Sequence, residues 1–101
     1  MSTLSAFLDE RLRVDGATRL DDINAPPWWE DGVTVAVDEA TYMEYLEMLP
    51  PRYIHGTLFA FGEGSGGFTL IWEQDRRYFV HQLSLDDTEM FCRLSGTALH
   101  Q

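Results

Sequence analysis

Apolar residues recur along the chain in two rhythms, one of helical and one of strand period. Leu4, Phe7, Leu8 and Leu12 follow i, i+3, i+4, i+8 spacing, which predicts an amphipathic helix near the start. Ser2 or Thr3 is placed to cap its first turn, and Gly16 to take the left-handed conformation at its end. Residues 17–32 then carry no period, and Pro26-Pro27 cannot continue a helix. Val33, Val35 and Val37 alternate with Thr34 and Ala36, as a short strand does. Asp38 is expected to cap a second helix whose apolar stripe is Tyr42, Tyr45, Leu46 and Leu49, with Glu39, Glu44 and Glu47 away from it. Pro50-Pro51 ends that helix, because proline biases the preceding residue away from helical geometry.

The second half reads as antiparallel sheet. Candidate strands are residues 57–61, 68–73 and 78–83, with Phe68, Leu70 and Trp72 sharing one face of the middle one. A flexible glycine-rich connection, Gly62 to Gly67, joins the first two, and Gln74-Asp75-Arg76-Arg77 makes a tight turn between the last two. A last helix is expected from Asp86, where Asp86 and Glu89 have capping-box spacing. Met90, Phe91 and Leu94 would face the core, and Gly96 ends the helix. The chain is therefore expected to be one α+β domain over residues 1–101, a small antiparallel sheet of three or four strands packed with two or three helices.

Charge changes this picture most. Seventeen Asp and Glu oppose seven Arg, there is no Lys, and the formal charge is −10 on 101 residues. Hydrophobic residues are 45% of the chain, too many for an acidic disordered segment, so a packed core is expected beneath the charge. A surface this acidic repels nucleic acid and anionic membranes and is drawn to basic proteins. Cys92 is the single cysteine, so no intramolecular disulfide forms and nothing calls for an oxidising compartment. No basic-then-apolar leader opens the sequence and no run approaches membrane-spanning length, so a cytoplasmic location is expected.

Each candidate for chemistry has a plainer reading. Gly62 to Gly67 is not a phosphate loop: it leads into a strand, no Lys follows, and Glu63 would repel phosphate. His55, His81 and His100 lack the short spacing of dedicated metal sites, and Cys92 beside Phe91 reads as a small buried hydrophobe. Asp21-Asp22 and Asp86-Asp87 are adjacent pairs that do not face each other on a helix, and helix starts favour Asp. No cofactor or metal is called for. Trp28-Trp29 is different. Adjacent residues in extended chain point to opposite sides, so one ring is expected to be exposed, unless both pack into the core. Trp is enriched in binding hot spots. The expected partner-binding set is Trp28 and Trp29 with Glu30, Asp31, Asp21 and Asp22 around them, joined by Glu39, Glu44 and Glu47.

The run from Tyr42 to Gly56 resembles the bacterial family known as domain of unknown function 1419. The matching features are Leu46-Glu47-Met48-Leu49-Pro50-Pro51, Tyr53, Gly56 and Phe59-Ala60. Arg76-Arg77-Tyr78-Phe79, followed by Leu85 and Asp87, is similar to a second block of that family. The resemblance spans residues 41–87, and the chain lacks the family's Cys before the Asp-Leu-x-Asp segment. That family has no established activity, so no catalytic residue carries over. It implies a mobile-genetic-element context, in which counter-defence proteins are common. The function expected is non-catalytic: an inhibitor of anti-CRISPR or anti-restriction type, a nucleic-acid mimic occupying a basic site on a defence component or nuclease. Electrostatic complementarity would speed association and select the partner. An immunity protein against a basic nuclease toxin would use the same physics. A small enzyme or metal protein built on His55, His81 or Cys92 is the alternative of another class, and an acidic domain whose charge serves only solubility is the plainest reading.

Overall fold

The computed structural model describes residues 3–19, 32–62 and 66–97. They form three helices and a sheet. Helix α1 is Leu4–Arg11, α2 is Glu39–Met48 and α3 is Leu85–Ser95. The strands are β1 (Thr18–Arg19), β2 (Thr34–Val37), β3 (Tyr53–His55), β4 (Leu58–Phe61), β5 (Thr69–Gln74) and β6 (Arg77–Gln82). Their order across the sheet is β1-β2-β6-β5-β4-β3. Strands β2 to β6 pair antiparallel, and the two-residue β1 joins the β2 edge in parallel.

The α+β class is thus as expected, but the antiparallel sheet has five strands rather than three or four. The additional strand is β3. It is only three residues long and follows Pro50-Pro51 too closely to show a period of its own. It exists because Gly56, at φ +61°, turns the chain back so that Tyr53 pairs with Ala60 and His55 with Leu58.

Register sorts the side chains onto two faces. Tyr53, Leu58, Ala60, Leu70, Trp72, Phe79 and Ala36 face α1 and α3, where Phe7, Leu83, Phe91 and Cys92 complete the larger core. Phe59, Phe61, Ile71, Val80, Tyr78 and Val37 face α2, packed by Tyr42, Tyr45, Leu46 and Leu49. The sheet is a middle layer with helices on both sides.

Local chemistry fixes the helix ends. The Thr3 side chain accepts from the Ala6 N–H, and Asp38 accepts from the Thr41 N–H at 2.8 Å. Two expected ends move. Helix α1 stops at Leu12, so Gly16 serves a later turn at φ +77° instead of closing the helix. Helix α3 is capped by Ser84, whose Oγ accepts from the Asp87 N–H, so Asp86 is not the cap. Thr88, Phe91 and Cys92 form the buried stripe, Leu94 packs half-buried on the same core as expected, and Met90 lies 37% exposed instead of facing it. Gly96 closes α3 at φ +76°, as expected.

The glycine-rich connection between β4 and β5 is tightly packed at its described ends. A Cβ on Gly67 would collide with the Leu83 carbonyl oxygen, and one on Gly62 with the Phe68 ring. Close approach, not flexibility, requires glycine at both.

Candidate functional site

Two arrangements carry unusual chemistry, one on each side of the sheet. The first is the outer surface of α2. Tyr42 turns inward and donates a hydrogen bond to the Thr57 carbonyl at 2.7 Å, and its ring lies 4.9 Å from that of Tyr78. Tyr45 packs 6.1 Å from Phe61, and burial together with Glu44 pushes its hydroxyl up to about 12. With the stripe buried, Glu39, Glu44 and Glu47 are left exposed. Glu39 accepts from the Tyr78 hydroxyl at 3.4 Å. The helix carries no basic residue. Among the described residues, both ion pairs within 4 Å are made by Arg11, and none involves these three carboxylates. Met43 and Met48 are exposed at 45% and 60% along the same outer surface.

Of the expected partner-binding set, the structure therefore brings Glu39, Glu44 and Glu47 together on one helix. Asp21, Asp22, Trp28, Trp29, Glu30 and Asp31 lie outside the described residues, as does His100.

The second arrangement surrounds His81. Its neighbours in the sheet are Thr34 on β2 and Leu70 on β5, so it faces α1 and α3. It is 1% exposed. The ring Nδ1 lies 2.8 Å from the Thr34 hydroxyl, while Nε2 has no partner among the described residues. Above it, Arg11 ties the two helices together. Its Nε donates to Asp87 Oδ2 on α3 at 3.2 Å and its Nη1 to Glu10 Oε1 at 2.7 Å. Burial holds His81 below its ordinary value of 6.5; Asp87 opposes that push and Arg11 adds to it. The cavity beside it, of about 400 Å³, is bounded by Arg11 and Arg13 at the end of α1, by the turn through Asp15 and Gly16, and by the start of β2.

The other residues considered for chemistry lie apart from this arrangement. His55 is exposed on the edge strand β3 and borders a smaller cavity of about 210 Å³ with Leu4, Leu8, Tyr53 and Leu58. Cys92 is buried on α3, and burial raises its thiol, which lowers the thiolate fraction. Among the described residues, no group of three His, Cys, Asp or Glu side chains comes together that could hold a metal ion. Nor is any described helix long and apolar enough to cross a membrane.

The sequence pattern singled out His81 but not Thr34, Arg11, Arg13 or Asp15. The missing information was the pairing of β2 with β6. These strands are more than forty residues apart, and alternation in each says nothing of their register.

Compared with known proteins, the chain matches no family model, no curated protein and no solved structure.

Proposed function

We propose that this chain is a small acidic binding protein of inhibitor type, which occupies a basic, nucleic-acid-binding site on a protein partner. The observation that carries this reading is the α2 surface, where three exposed carboxylates stand on a ten-residue helix that itself carries no basic residue. The chain's charge of −10 extends the same preference over its whole surface. Binding of this kind needs no catalytic group. It suits a nucleic-acid mimic of anti-CRISPR or anti-restriction type.

Capture experiments at two ionic strengths test the reading. Purified chain is used as bait in bacterial lysate, with and without competing duplex DNA. DNA- or RNA-binding proteins should be retained at low salt and released by salt or by DNA, since exposed charges are screened within about 8 Å at physiological ionic strength. The bait carrying Glu39→Gln, Glu44→Gln and Glu47→Gln together should lose them. Retention that neither salt, DNA nor the triple substitution disturbs would overturn the electrostatic mechanism. A nuclease toxin as the captured protein would identify an immunity protein instead.

A further inference from the structure

The cavity beside His81 lies on the opposite side of the sheet from α2, and its lining has a different balance of charge. Among the described residues its charged groups are Arg11, Arg13, Glu10 and Asp15, which sum to zero, in a chain of net charge −10. A volume of about 400 Å³ falls within the range of small-ligand sites.

The four charges are not used up on one another. Arg11 and Glu10 are joined at 2.7 Å, and Arg11 is further held by Asp87. Arg13 gives its Nε to the Glu10 carbonyl at 3.3 Å, which fixes the side chain but leaves both Nη groups without a partner among the described residues. Among the same residues, the Asp15 carboxylate takes part in no ion pair. With respect to the described residues, one guanidinium fork and one carboxylate are therefore available at a single opening. On the inner side, His81 presents a ring that is 1% exposed and whose Nε2 lacks a partner among the described residues. A buried polar atom left in this way is costly.

We propose that this cavity binds a small zwitterion of α-amino-acid type, with its carboxylate on Arg13, its ammonium group on Asp15 and its polar side chain toward His81. The charge pattern selects the class. A dicarboxylate would place a second anion against Glu10 and Asp15, and a diamine a second cation against Arg11 and Arg13. A zwitterion meets a complementary charge at each end, and the planar carboxylate fits the guanidinium fork in a bidentate manner.

Nuclear magnetic resonance of the ¹⁵N-labelled full chain tests this, with L-serine as probe and acetate and methylammonium as its single-charge halves. Serine should shift the amides of Gly16, Thr18, Gly32 and Thr34 saturably, together with the His81 ring nitrogens. Each half alone, and serine with Arg13→Ala or Asp15→Asn, should bind about tenfold more weakly or worse, as expected for loss of one charge-assisted contact. Arg13 and Asp15 are exposed, so the remaining spectrum should report an intact fold. The proposal is overturned if serine gives no saturable shift up to roughly 10 mM, if its effect survives both substitutions, or if acetate binds as well as serine. None of these outcomes bears on the α2 surface.

Discussion

Among the described residues, α1 and α3 together cover Leu70, Trp72 and Phe79 on one side of the sheet, and α2 covers Ile71 and Val80 on the other. The two-helix side is the deeper. Phe91 is wholly buried and meets Tyr53 and Phe68 edge to face at 5.3 and 6.1 Å. That side also holds the buried polar groups His81 and Thr88 and the Arg11–Asp87 bridge between its helices. The single-helix side packs through Tyr42, Tyr45 and Tyr78, and it turns the carboxylates of α2 outward. Buried polar groups and exposed carboxylates are thus divided between the faces. A surface held by few groups can be charged heavily, because its carboxylates stay in water and need no buried partner.

Truncating the core should separate the faces most strongly. Phe91→Ala is expected to cost ~3–5 kcal/mol, the usual range for a buried large aromatic. Tyr42→Phe, which removes only the hydroxyl bonded to the Thr57 carbonyl, should cost about 1 kcal/mol. Urea denaturation of both variants checks this. A Tyr42→Phe loss as large as that of Phe91→Ala would mean that the hydroxyl bond to Thr57 holds far more than one hydrogen bond's worth of the fold.

Thr88→Val is a smaller change on the same deep side. The Thr88 hydroxyl accepts from the Phe68 N–H at 2.9 Å where β5 begins, and the site is fully buried. Valine keeps the shape but orphans that N–H, so a loss of ~1–3 kcal/mol is expected, read again from the urea midpoint.

The two faces should also respond to acid in different windows. His81 folds with its value held below 6.5, so the unfolded chain binds the proton first. Its contribution is complete above pH 6.5 and is lost as the pH falls from there through the folded value. Asp38, held below 3.8 by the Thr41 hydrogen bonds, contributes fully above pH 3.8 and loses that contribution only in stronger acid. Stability measured as a function of pH should therefore fall in two limbs. His81→Asn should flatten the upper limb alone. Asp38→Asn, which keeps a capping side chain, should flatten the lower one. An upper limb unchanged by His81→Asn would remove the imidazole from the account.

How much of this was legible follows from the range of each interaction. Helix α2 was readable almost to the residue, because Asp38, the tyrosine stripe and Pro50 all act locally. The start of α3 was not. The spacing of Asp86 and Glu89 suggests a cap two residues later than Ser84, whose Oγ accepts from the Asp87 N–H. Strand β3 was missed because three residues are too few for a period, and it is held by Gly56 and by pairing with β4. The acids of α2 were legible as an outward group from helical spacing. The surroundings of His81 were not, since they draw on α1, α3, β2 and the turn after α1.

The smallest expected effect is a control on the whole comparison. The β5–β6 turn places Asp75 at φ 54° and Arg76 at φ 65°, both in the left-handed region. Two-residue hairpins favour that geometry for its twist, and Asp tolerates it, but arginine is strained there. The backbone N–H of Arg76, which donates to Glu73 Oε1 at 3.3 Å, would be kept by glycine. Arg76→Gly should therefore stabilise the chain by about 0.5–1 kcal/mol, after the entropy cost of glycine is set against the relieved strain. Gly56→Ala at the β3–β4 turn, at φ 61° with open space around it, should do the reverse to a similar degree. Thermal melts should move by roughly 2–6 °C in opposite directions. Neither substitution touches a helix-covered core. If either shifted the His81 limb of the pH profile, the hairpins and the deep face would be coupled, and the division between the two sides would not be as clean as the packing makes it.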